Sequence, residues 1–86
     1  MESITLFDEK KHSIFEVVAE IIVTKFNGRI VKKLDGIDQR YWDIYISDNI
    51  ITLHWEHYLG ISLLFSENER EIVNKIVYEI KSKNRI

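Results

Sequence analysis

The chain has 86 residues, 45% of them apolar and 30% charged, with a formal net charge of −2. That length holds one domain over residues 1–86, with an adequate but thin core, and excludes two. The charge balance argues against a nucleic-acid binder, because phosphate contacts need a concentrated Lys/Arg surface; the lack of Cys excludes disulfides, thiolate catalysis and Cys-type zinc sites.

Residues 3–7, "SITLF", alternate, with Ile4 and Leu6 on one face, and predict a first strand. Ser13-Ile14-Phe15-Glu16 has the pattern of a capping box, which predicts a helix from there to about Phe26. Phe15, Val18, Ile22 and Phe26 form its apolar stripe, and Asn27-Gly28 supplies a left-handed stop. Val23 falls near the polar side of this helix. A second strand spans residues 28–36 and ends in a turn at Asp35-Gly36.

"RYWDIYIS" and "IITLHWEH" read as a hairpin turned by Asp48-Asn49, since both residues tolerate positive φ. That turn sets Ile46 opposite Ile51, Ile44 opposite Leu53 and Trp42 opposite Trp55. On the other face it pairs Tyr45 with Thr52, Asp43 with His54 and Tyr41 with Glu56. Tyr58-Leu59-Gly60 predicts a loop with glycine in the left-handed region, which brings Ile61, Leu63 and Phe65 onto the buried face. Ser66-Glu67-Asn68-Glu69 is a second capping box. Ile72, Val73, Ile76, Val77 and Ile80 make the stripe of a last helix, supported by Glu71–Lys75 and Glu79–Lys83 spacings.

The order is therefore β-α-β-β-β-β-α: a two-layer α+β sandwich with an antiparallel meander and both helices on one face. The place of the first strand in the sheet stays open.

His54, Glu56 and His57 raise the possibility of a metal or catalytic cluster. Strand alternation argues against it, because His54 and Glu56 point to the open face while His57 points with Trp55 to the core. A zinc protease needs two His at i, i+4 on a helix. No metal site and no cofactor are expected. Asp43 opposite His54, with Glu56 beside it, is the one arrangement that could orient a base and so mark an enzyme or metal binder, but no nucleophile or phosphate-binding glycine loop adjoins it. Arg29, Lys32 and Lys33 are the candidate basic patch for a weak nucleic-acid binder. Trp42 and Trp55 read as core.

What remains for function is the open sheet face: Tyr41, Asp43, Tyr45, Thr52, His54 and Glu56, with Ser62 and Leu64. Tyrosines on such a face suit protein contact, since they offer area at little rotamer cost. The expectation is a non-catalytic protein-binding module, with a protein partner or a second copy in a homodimer. The start of the chain has no basic-then-apolar leader, and no apolar stretch approaches the ~20 residues of a membrane span. A cytoplasmic protein without membrane association is expected.

Leu34-Asp35-Gly36, Trp42-Asp43, Leu53-His54-Trp55-Glu56 and Gly60-Ile61-Ser62-Leu63 together resemble small uncharacterised bacterial α+β proteins. The likeness lies within residues 34–64 and implies no catalytic residues. At the level of fold, chains of this size and build are also similar to immunity proteins, which bind and block a toxin.

Overall fold

The computed structural model describes residues 1–8 and 12–82. Alternation of apolar and polar residues produces five strands: β1 (Glu2–Phe7), β2 (Arg29–Asp35), β3 (Gln39–Ile46), β4 (Asn49–Glu56) and β5 (Gly60–Phe65). Helical periodicity produces α1 (Phe15–Phe26) and α2 (Arg70–Ser82), each entered through a short 3-10 turn. The order is β-α-β-β-β-β-α, as the sequence predicts.

All strands are antiparallel, in the spatial order β1-β5-β4-β3-β2. The meander runs from β2 to β5, and β1 joins the far edge beside β5, with Ile4 opposite Leu63. α1 therefore carries the chain from one edge of the sheet to the other.

The helices cover one face. Phe15, Val18 and Ile22 of α1 and Val73, Ile76 and Ile80 of α2 are buried against Ile44, Ile51, Leu53, Ile61 and Leu63. Each fully buried side chain of this kind contributes about 1.5–3 kcal/mol. Val23 is half-buried against the same core. Asn27 stops α1 at φ 57°, as expected. The first capping box does not form: the cap is Ile14, without a side-chain bond, because the chain reaches α1 through the 3-10 turn His12–Ile14. The second does form, with the Ser66 amide donating to Glu69 Oε1 at 2.7 Å. Lys83, the predicted partner of Glu79, lies outside the described residues.

Both central reversals sit one residue earlier than the pattern predicts. The β3–β4 turn is Ser47-Asp48, with φ 50° and 66°, and not Asp48-Asn49. Two positive φ values give the type I′ geometry that matches strand twist. The Asn49 side-chain amide donates to the Ser47 carbonyl at 2.9 Å, and the Tyr45 hydroxyl donates to Asp48 Oδ1 at 2.7 Å. The β4–β5 reversal is centred on Tyr58, closed by the Leu59 amide on the Glu56 carbonyl at 3.1 Å, with Gly60 at φ 87°. Moving a reversal by one residue moves each partner by two. Every side chain keeps its face, so the buried set is as predicted while the neighbours change.

A bulge between Ile30 and Lys32 breaks the phase of β2. Ile30 and Lys33 consequently both lie on the helix side, opposite Ile44 and Trp42. No helix among the described residues is long and apolar enough to cross a membrane.

Candidate functional site

The open face is built in rows by the strand register. One row runs Lys32, Asp43, Thr52, Leu64, Ser3. The next runs Leu34, Tyr41, His54, Ser62, Thr5. Arg29, Tyr45 and Ile50 form a third, and Gln39 and Glu56 begin a fourth. The six predicted face residues do share this surface.

Their pairing differs from expectation. Asp43 is opposite Thr52, whose hydroxyl donates to Asp43 Oδ1 at 2.7 Å. It is not opposite His54, so the proposed Asp43–His54 acid–base pair is not formed. His54 instead faces Tyr41, and the rings stack at 4.3 Å with 11° between planes. Tyr45 pairs with Ile50 and not Thr52, and Gln39 rather than Tyr41 faces Glu56. The cause is the shifted Ser47-Asp48 turn.

His54 Nε2 is buried and makes no hydrogen bond. Burial pushes the His54 pKa below the usual imidazole range, partly offset by the nearby Glu56 carboxylate. An imidazole stacked under a tyrosine, with its outer nitrogen covered, is poorly placed to take a substrate proton. The Tyr45 phenol is pushed up by its hydrogen bond to Asp48 and stays protonated at neutral pH. Asp43 is thus matched by Thr52 and Tyr45 by Asp48, while His54 Nε2 is not matched.

His57 lies in the β4–β5 turn, not on the core face. Its ring meets Trp55 and Tyr58 edge-on at 6.2 and 4.7 Å. Among the described residues, no group of three or more His, Asp or Glu side chains could hold a metal ion. The basic trio is divided by the bulge. Arg29 and Lys32 are on the open face, with Arg29 over the Tyr45 ring, while Lys33 lies on the helix side with its amine 4.2 Å from the Trp42 ring.

A second cluster escapes the alternation reading. Arg40 is 7% exposed on the helix side of β3, between the rings of Phe15 and Trp42 at 4.6 and 4.8 Å. Its Nε donates to Asp35 Oδ1 at 2.9 Å and its terminal nitrogen to Glu16 at 3.3 Å. The Trp42 indole N–H donates to the same Asp35 oxygen at 2.8 Å. Arg40 foremost, then Trp42, hold the Asp35 carboxyl below its ordinary range. The signal was available, since Arg40 lies two residues before Trp42 and strand alternation puts both on one face. Across the edge, Leu34, Asp35, Gly36, Gln39 and Tyr41 line an open, shallow depression.

A family described as "Protein of unknown function (DUF3630)" matches residues 1–79. No curated protein and no solved structure matches the chain.

Proposed function

Since the chain belongs to the DUF3630 family, which brings no assigned activity with it, we propose from its surface that it is a small non-catalytic cytoplasmic module that binds a protein through the open face of its sheet. One observation carries this reading. The helices seal one side of a five-stranded sheet, and among the described residues no layer lies over the other side. At the centre of that side stand the Tyr41–His54 stack and the Asp43–Thr52 pair, with Tyr45 beside them.

The stack and the hydrogen bonds hold these side chains in fixed positions before any partner arrives, which lowers the ordering cost of binding. Tyrosines near the centre of a patch are common anchors. The carboxylates of Asp43 and Glu56 favour a partner carrying basic residues opposite them. An immunity or antitoxin-like protein, capping a basic toxin surface, is the concrete version. The pairing of Asp43 with Thr52 rather than with a histidine, and the covered His54 nitrogen, weigh against catalysis, and the divided Arg29, Lys32 and Lys33 weigh against nucleic acid.

Affinity capture from the native host tests it, with the wild type and with Tyr41→Ala/Tyr45→Ala as baits. A partner held by the wild type and weakened at least about tenfold by the double variant, with the folded circular-dichroism spectrum retained, is the expected result. Capture indifferent to both tyrosines overturns it, as does an inert, strictly monomeric protein by light scattering. A wild-type dimer dispersed by the double variant identifies the partner as a second copy.

A further inference from the structure

We propose that the outer edge of β2 is a strand-addition site for an acidic, extended segment of a partner protein, a surface distinct from the open face of the sheet. β2 stands last in the strand order, so β3 pairs with one side of it and no strand among the described residues pairs with the other. Along a strand, alternate residues turn their amide and carbonyl outward, and an edge offers these groups to an incoming backbone.

The composition of β2 suits contact on that side better than a place in the core. In β3, residues 40–46 alternate between buried and half-buried, whereas every residue of β2 is exposed except the half-buried Ile30. The helix layer thus stops short of this strand. Val31 and Leu34 are 45% and 54% exposed. A segment laid alongside would shield both and extend the ladder by a sixth strand.

The charges on the strand select its occupant. Arg29, Lys32 and Lys33 are exposed and form no ion pair among the described residues. Arg29 and Lys33 lie over the rings of Tyr45 and Trp42, which leaves their charge in place. Lys32 is opposite Asp43, whose Oδ1 already accepts from Thr52. The one carboxylate of β2, Asp35, is held by Arg40 and Trp42. Lys32 is on the open face and Lys33 on the helix side. Two adjacent acidic residues in an extended chain therefore meet one amine on each face. In an antiparallel partner, the residue before them falls opposite Leu34 and suits an apolar side chain. A second copy fits poorly: full-length antiparallel pairing of two β2 strands centres on Lys32 and sets its amine against its own copy. Lysines and the bulge guard this edge against self-pairing and leave it open to an acidic strand.

The test uses the full chain, ¹⁵N-labelled, and three capped hexapeptides. The first has two central glutamates flanked on each side by valine and threonine. The second carries lysines in place of the glutamates. The third is the acidic peptide N-methylated on both glutamates, which blocks an amide on either of its edges. The acidic peptide is expected to shift the amides of residues 29–35 and slow their hydrogen exchange, less so as salt rises, and to bind at least about tenfold tighter than the lysine peptide. N-methylation is expected to weaken it at least about tenfold. Lys32→Glu/Lys33→Glu is expected to invert the preference between the first two peptides, with the folded circular-dichroism spectrum retained, because both side chains are exposed. No shifts at millimolar peptide overturn the proposal. Equal binding of the N-methylated peptide overturns it too, since that is charge attraction without strand pairing. So do tighter binding of oligouridylate than of the acidic peptide, and a wild-type dimer dispersed by the charge-reversed variant.

Discussion

Gly60→Ala tests the architecture at its tightest point. Gly60 has φ 87°, a region that costs an L-residue about 1–2 kcal/mol. An added β-carbon would lie 2.0 Å from the Phe7 carbonyl oxygen and 2.9 Å from the Asp8 Cα. Both are backbone atoms, so no side chain can rotate away. The end of β1 must retreat from β5, loosening the pairing of Phe7 with Ile61. One or two strand hydrogen bonds at about 0.5–1.5 kcal/mol each add to the backbone term. The expected loss is about 2–4 kcal/mol, or at least about 10 °C in melting temperature for a domain of this size. Urea denaturation followed by tryptophan emission measures it, since Trp42 and Trp55 are both buried. Gly36→Ala is the control: its β-carbon meets only the Gln39 carbonyl, at 3.2 Å, and its φ is ordinary, so less than about 1 kcal/mol is expected. If Gly60→Ala stays within about 0.5 kcal/mol of the wild type, the β1–β5 contact described above is wrong.

Trp42 and Trp55 should emit at blue-shifted wavelengths and resist iodide; strong quenching contradicts their burial under the helices. Burial lowers the His54 pKa, so below the unfolded value near 6.5 the unfolded chain takes up a proton that the folded chain refuses. Stability is therefore complete above that pH and declines as pH falls through and below it. His54→Gln should flatten the decline between pH 7.5 and 5.5 in urea titrations, and an unchanged slope assigns it to other groups. Arg40→Met should cost about 1–2 kcal/mol: it removes the ion pairs to Glu16 and Asp35 and the contacts with the Phe15 and Trp42 rings, while the freed carboxylates of Glu16 and Asp35 can still hydrate. Arg40→Lys should recover little of that loss, because a lysine cannot reproduce the planar fork; full recovery counts against the stacked geometry.

The faces of the fold were legible and the pairings were not, for one reason. Period-two alternation assigns Trp42, Ile44, Leu53 and Leu63 to the interior whatever the turn, but it is blind to a displacement of two. Asp48-Asn49 has the better turn composition. Ser47-Asp48 takes the role because Asn49 and Tyr45 lend side-chain hydrogen bonds to it. That choice moved His54 from Asp43 to Tyr41 and removed the only arrangement with a catalytic look. The first capping box failed differently. Its residues match the pattern, but the 3-10 turn before Phe15 puts Ile14 at the cap. The bulge at Val31 carries no Gly or Pro to announce it, so the separation of Lys33 from Arg29 and Lys32 was invisible. Alternation puts Arg40 on the helix side with Trp42, but the carboxylates that hold it there come from α1 and β2, which the pattern of β3 does not reveal.

The seat of β1 also governs how the chain can assemble as it is made. It is synthesised before the other described strands, yet the strand it pairs with, β5, is the last of them, and Glu2 meets Phe65 from 63 residues away. The meander from β2 to β5 can zip locally, whereas sheet completion waits for a long-range closure that slows folding. Until then β5 presents a bare edge in a nascent polypeptide, and a chain terminated before Gly60 leaves its opening strand with nothing to pair against.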